Sequence, residues 1–199
     1  MTLGAAKAAL REPAKARRAT LHQALAATAP PAVRDAFLAT PALAAEVVAG
    51  RSASGYWPIA SELDPRPLLT HLHECGLVCG LPATVAPGSP LAFRRWTPQT
   101  ALVAAGYGTL APPDSAPTLT PELVLVPLLA VDRRGMRLGY GAGYYDMSLR
   151  ALRARGRVVA VGLAYSGQMI DAVPAGDGDE RLDWLVSEHG AVRFEADAE

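Results

Sequence analysis

The stretch RLGYGAGYYD, residues 137–146, sets Gly139, Gly141 and Gly143 at alternate positions among Tyr140, Tyr144 and Tyr145, with Arg137 at one end and Asp146 at the other. Glycines this dense suit neither a helix interior nor an ordinary strand. They fit a loop that brings its backbone against a ligand, or a glycine-rich turn. If a helix begins after Gly143, its free N–H groups form a site that favours anions. Asp146 then has two readings: an acid that complements the helix N-terminus, or a carboxylate that holds Mg²⁺ beside bound phosphates. A dinucleotide fingerprint is not matched, because Tyr144 stands at its sixth position and DRRGMRL intervenes after the preceding apolar run. No glycine–lysine–serine or threonine sequence marks a Walker loop.

Two further groups carry reactive side chains. Lys7 and Arg11 are four residues apart, on one face of a helix, where they would clasp phosphates or simply face solvent. His71, His73, Cys75 and Cys79 contain two metal-ligand types, but their spacing does not fit a paired-cysteine knuckle. Gly76 separates a helix end from a strand there, so exposed histidines and a buried cysteine are the expectation.

The chain that must position these groups has 199 residues, half of them hydrophobic and 19% charged, with 19 basic against 19 acidic residues. That length suits one domain, 1–199, with a proper core. The neutral balance gives no support to a nucleic-acid partner, and no apolar run is long enough to span a membrane. The start lacks the apolar stretch of a secretory signal, so a cytoplasmic protein is expected. Residues 3–28 read as a helix that Pro13 starts or kinks, and residues 31–49 as a second helical segment renewed at Pro41. SASGYWPI, LVCGLP, PLAFRRW, ELVLVPLLAVD, RVVAVGLAY and a last LDWLVSE read as strands, with helices after Pro67 and from about Tyr144 to Arg155. Residues 111–121 read as a linker by composition. Wholly apolar strands alternating with helices indicate an α/β sheet covered on both faces, with ligands beyond the carboxyl ends of its strands.

The series VPLLAVDRRGMRLGYGAGYYD resembles the 5-formyltetrahydrofolate cyclo-ligase family, whose members carry a proline-bearing strand, an aspartate and RLG-x-G-x-GYYD. KAALR near the start, SELDPRPLLTHLHECGLVCGLP and VPAGDGDERLDWLVSE are similar to three more family segments in the same order, so the resemblance covers nearly the whole chain. It implies a single-domain three-layer α/β/α sandwich with a mostly parallel sheet, as in sugar-phosphate isomerases and CoA transferases. It also implies ATP- and Mg²⁺-dependent closure of 5-formyltetrahydrofolate to 5,10-methenyltetrahydrofolate by a monomer, through a phosphorylated formyl group.

The resemblance assigns tasks residue by residue. Arg137, Tyr144 and Tyr145 would act in catalysis. Lys7, Arg11 and the run Arg137, Leu138, Gly139, Tyr140, Gly141, Ala142, Gly143, Tyr144 and Tyr145 would hold ATP. Trp57, Glu62, Tyr107 and residues 140–144 would line the folate pocket, with the Glu62 carboxylate on the pterin's amino and ring N–H donors. Asp146 and Asp179 would bind the metal, leaving Asp132, Asp177 and Asp183 as bystanders. On sequence alone Glu62 is equally an acid at a helix N-terminus.

The chain departs from the family at three places. Ala142 stands where many relatives have glycine or lysine, GYGTLAPP lacks a glycine-isoleucine-proline-glutamate pattern, and Pro13 interrupts the basic first helix. Two rivals remain on sequence: an isomerase or CoA-transferase relative that needs no ATP, and a non-catalytic sensor of a phosphorylated metabolite or a folate.

Overall fold

The computed structural model describes residues 2–195. Thr2 caps α1 (Leu3–Leu25), its hydroxyl accepting the Ala5 N–H at 3.3 Å. α2 (Ala29–Ala39) and the short α3 (Pro41–Ala44) follow, both with proline in the first turn, where its missing N–H costs nothing. The rest of the first half is β1 (Ser52–Ser54), α4 (Arg66–Glu74), β2 (Val78–Ala83), β3 (Ala92–Arg95), β4 (Val103–Ala104), β5 (Leu110–Ala111) and β6 (Thr118–Leu119). Then come β7 (Leu123–Val126), β8 (Ala130–Val131), β9 (Arg137–Leu138), α5 (Tyr144–Arg153), β10 (Val159–Leu163), a 3₁₀ turn at Ser166–Gln168, β11 (Trp184–Ser187) and β12 (Gly190–Arg193).

The main sheet runs β12-β11-β10-β7-β1-β2-β3-β6. Its five central strands are mutually parallel; β12 pairs antiparallel with β11 at one edge, and β3 with β2 and β6 with β3 toward the other. The wholly apolar β7 explains the layers. Leu123 and Leu125 pack with Val33 and Phe37 of α2 and with Leu68, Leu69 and Leu72 of α4. Val124 and Val126, on the opposite face by the period-2 alternation of a strand, pack with Leu149 and Leu152 of α5. β10 divides likewise, with Val159, Val161 and Leu163 on the first face and Ala160 on the second. The result is a three-layer α/β/α sandwich with a mostly parallel sheet.

Several segments differ from the reading of the sequence. The run at 122–132 is two strands in two sheets. Pro127 has no N–H to continue the ladder, and the Leu128 and Leu129 carbonyls beyond it accept side-chain bonds from Arg18 and Gln168. β8 then pairs with β9 as a separate hairpin, so the glycine loop follows that hairpin and not the core strand. SASGYWPI is a strand only as far as Ser54, because Tyr56 turns inward to donate to the Leu63 carbonyl at 2.7 Å. α1 passes through Pro13 instead of starting there, and it ends at Leu25. The linker-like stretch supplies edge strand β6, and β12 follows the strand read as last.

Candidate active site

Loops after β1, β7 and β9 meet α1 at the carboxyl end of the parallel strands, where doubly wound sheets place ligands. The loop 139–143 runs from β9 into α5. Gly143 is the residue before that helix at φ +71°, a left-handed conformation open to glycine, and no side chain caps the first turn. Gly141 lies at φ +107°, and a Cβ there would approach the Arg11 guanidinium carbon to 2.9 Å. Arg11 Nε in turn donates to the Gly139 carbonyl at 3.1 Å. Its own φ favours glycine at 141, and a larger side chain there would also push the flexible end of Arg11 aside. Ser148 fixes the helix start, donating to the Tyr144 carbonyl at 2.6 Å and accepting the Leu91 N–H at 2.9 Å.

Cations and acids interlock around this loop. The buried Arg137 donates through Nη2 to Asp146 Oδ1 at 2.8 Å and through Nη1 to the Glu180 carbonyl. The Glu180 N–H donates back to Asp146 Oδ1 at 2.9 Å. One residue away, Asp179 pairs with Lys7 Nζ and accepts the Gly176 N–H at 2.8 Å. Lys7, Arg11, Arg137, Asp146 and Asp179 are thus brought to one place. Asp146 is not a cap: its bonds go to Arg137 and Glu180. Burial pulls the Arg137 guanidinium pKa down, opposed by Asp146, Tyr145 and Asp179. Among the described residues no cluster of three or more metal-capable side chains forms, the His71–Cys79 segment included.

On the other side of the loop, Glu62 is 5% exposed and precedes α4 by several residues, so it is no helix-terminal acid. Its Oε2 accepts the Ile59 N–H at 2.9 Å. Burial pushes its carboxyl up to about 7, against the Ile59 N–H and the Arg18 charge. Tyr145 feels the same burial and the Glu62 charge, which raise its phenol well above the usual range and keep it an O–H donor. The Arg66 guanidinium stacks on Trp57 at 5.0 Å, and Thr109 donates to the Trp57 carbonyl at 3.1 Å. Tyr107 sits at the tip of the β4–β5 hairpin at φ +50°, its hydroxyl 3.3 Å from that of Tyr144. Tyr140, the loop's exposed aromatic, accepts a hydrogen bond from Arg18.

Arg18 was not singled out by the sequence, although a signal existed: it lies seven residues after Arg11, on the helix stripe begun by Lys7. Asp132 and Asp183 are structural, the first accepting the N–H groups of Arg134, Met136 and Val173, the second that of Ala160. Cys79 is buried, with its thiol pushed up to about 12, and Cys75 contacts only His71 through its sulfur, at 3.4 Å.

A doubly covered α/β domain with a glycine loop, paired cations and acids, and an aromatic wall at its carboxyl edge defines a small-molecule enzyme. A model of the 5-formyltetrahydrofolate cyclo-ligase family matches residues 4–188, and the chain belongs to that family, whose members are ligases of folate one-carbon metabolism. A 5-formyltetrahydrofolate cyclo-ligase of Mycolicibacterium smegmatis is 36% identical over 148 residues, covering 70% of this chain and 75% of the relative. That of Escherichia coli K12 is 29% identical over 147 residues, 71% and 80% of the two chains. The solution structure of Aquifex aeolicus 5,10-methenyltetrahydrofolate synthetase superposes with a TM-score of 0.75 at 26% identity, covering 97% of this chain and 95% of the other.

Proposed function

We propose that this chain uses ATP to convert 5-formyltetrahydrofolate to 5,10-methenyltetrahydrofolate, ADP and phosphate. The observation that carries this reading is the glycine loop entering the uncapped N-terminus of α5 with Lys7, Arg11 and Arg137 beside it. This is a cradle for polyphosphate set next to a buried, pterin-suited carboxylate. The chemistry needs both halves. A formyl amide oxygen leaves poorly, so N10 cannot displace it directly. When that oxygen attacks the γ-phosphorus and ADP departs, the carbon becomes electrophilic, N10 adds to it and gives up its proton, and phosphate leaves with the oxygen.

The residues divide the work. Lys7 and Arg11 on α1 and the N–H groups of Tyr144 and Tyr145 take the phosphate charge, while Arg137 holds Asp146 at the helix start. Trp57 and the tyrosines wall the folate and exclude water, with Tyr107 and Tyr144 meeting edge to face at 5.9 Å over it. Asp146 and Asp179 fit a Mg²⁺ that takes one or two carboxylates and completes its shell with phosphate and water oxygens: among the described residues Asp146 Oδ2 accepts no hydrogen bond, whereas Asp179, whose oxygens accept from Lys7 and from the Gly176 N–H, would reach the ion by exchanging Lys7 for it. When bound, the ion would neutralise developing phosphate charge.

Mixing the protein with 5-formyltetrahydrofolate and Mg-ATP should generate the near-ultraviolet absorbance of the methenyl product. Turnover should fall to background with EDTA or without nucleotide, and equal rates under either condition would overturn the reading. Arg11→Ala should raise the KM for ATP by about 10- to 100-fold, the loss of a charged hydrogen bond, and leave that for the folate little changed. If both constants stay at the wild-type values, α1 is scaffold only.

A further inference from the structure

We propose that Arg18 is a positioning residue for the pterin end of the substrate, fixing the Glu62 carboxylate on one side and the Tyr140 hydroxyl of the glycine loop on the other. The proposal rests on the reading that Glu62 receives the pterin. Arg18 is 2% exposed, and all three of its nitrogens are engaged. Nε donates to Ser61 Oγ at 3.2 Å, Nη1 to the Leu128 carbonyl at 3.2 Å, and Nη2 to the Tyr140 hydroxyl. The guanidinium carbon also lies 5.3 Å from the Tyr140 ring centre. One side chain therefore ties together α1, the loop before α4, the segment after β7 and the glycine loop. Only the planar fork of arginine reaches all of these at once.

Its carboxylate neighbour is Glu62, with Nη1 at 3.8 Å from Oε1, too long for a hydrogen bond. Oε1 accepts no hydrogen bond from the described residues, and none of their fully buried side-chain oxygens or nitrogens lacks a partner, so Oε1 is not sealed from solvent. Arg18 thus supplies charge to Glu62 while leaving that oxygen free for a ligand's donors. The other groups facing Glu62 are the Ile59 N–H and the phenols of Tyr56 and Tyr145, both held protonated by burial. Arg18 is the cation among them and opposes the upward push of burial on Glu62.

The test is direct binding of 5-formyltetrahydrofolate without nucleotide, followed by calorimetry across neutral pH, with folding checked by thermal melts. In the wild-type protein affinity should change with a midpoint near 7, where Glu62 ionises. Arg18→Gln should move that midpoint upward by about one pH unit and weaken binding at neutral pH about tenfold. In steady state it should raise the folate KM more than it lowers kcat. Arg18→Lys keeps the charge and loses the fork, so it should keep the midpoint and bind more weakly. It carries the test if Arg18→Gln does not fold. A folded Arg18→Gln with wild-type midpoint and affinity, or Arg18→Lys with wild-type affinity, would overturn the proposal. Glu62→Gln separates the underlying reading: if it binds the folate as tightly as the wild type, with the same midpoint, Glu62 does not receive the pterin, whatever Arg18 does.

Discussion

Gly143→Val is expected to lower kcat/KM at least a hundredfold while the protein still melts within several degrees of the wild type. Gly143 lies at φ +71° with open space where a Cβ would stand, so the substitution meets no neighbour but must adopt a left-handed backbone. For a β-branched residue that costs about 1–2 kcal/mol, roughly 2–8 °C in Tm for a chain of this size. If the backbone relaxes to avoid the strain, the N–H groups of Tyr144 and Tyr145 swing off the proposed phosphate site. Losing one such preorganised donor costs about a hundredfold or more in rate. Gly143→Asn, which tolerates the left-handed region, should recover much of the activity. Melts and methenyl formation on the same samples decide the matter, and a folded, fully active valine variant would separate the loop from the ligands.

Glu62→Gln should flatten the pH dependence of stability as well as weaken folate binding. The carboxyl is raised by burial from 4.5 to about 7 in the folded protein. Below 4.5 it is protonated whether folded or unfolded, and its contribution is fully present. Between 4.5 and about 7 the folded protein retains a proton that the unfolded chain has released, so stability falls as pH rises, and it levels off above. The difference amounts to about 3 kcal/mol, on the order of 6–12 °C in Tm across this range. Glutamine cannot ionise and removes that decline. Thermal melts of both proteins at acidic and alkaline ends of the range check this, and parallel slopes would show that Glu62 is not the buried acid responsible.

The core and the loop were legible in the sequence for different reasons. LVLV and VAVGL are apolar at every position, which only a strand covered on both faces tolerates, and so the sandwich followed. RLGYGAGYYD announced itself by glycine density. Arg18 did not, because α1 also carries Lys7, Arg11, Lys15 and Arg17, and composition cannot tell which cation of a basic helix faces inward. The burial of Glu62 depends on Arg18 and on a loop turn at Ile59, both long-range or irregular features without a period to read. The break at Pro127 was written in the chain, but a continuous apolar run on both sides of it masked the change of sheet.

α1 has one further consequence. Of its 23 residues only Arg18 is buried, and its three stripe cations grip Asp179, the Gly139 carbonyl and the Glu62–Tyr140 pair. Leu10, Ala14, Leu21 and Leu25 contribute partial apolar contact, so the helix is fastened chiefly to the loops assigned to the two ligands. Any release of α1 short of global unfolding would be a local opening of these contacts. Each ligand that binds only the closed arrangement would raise the cost of that opening by about 2.7 kcal/mol when present at a hundred times its Kd. α1 is thus the fastening that ties the loops assigned to the two ligands to one another.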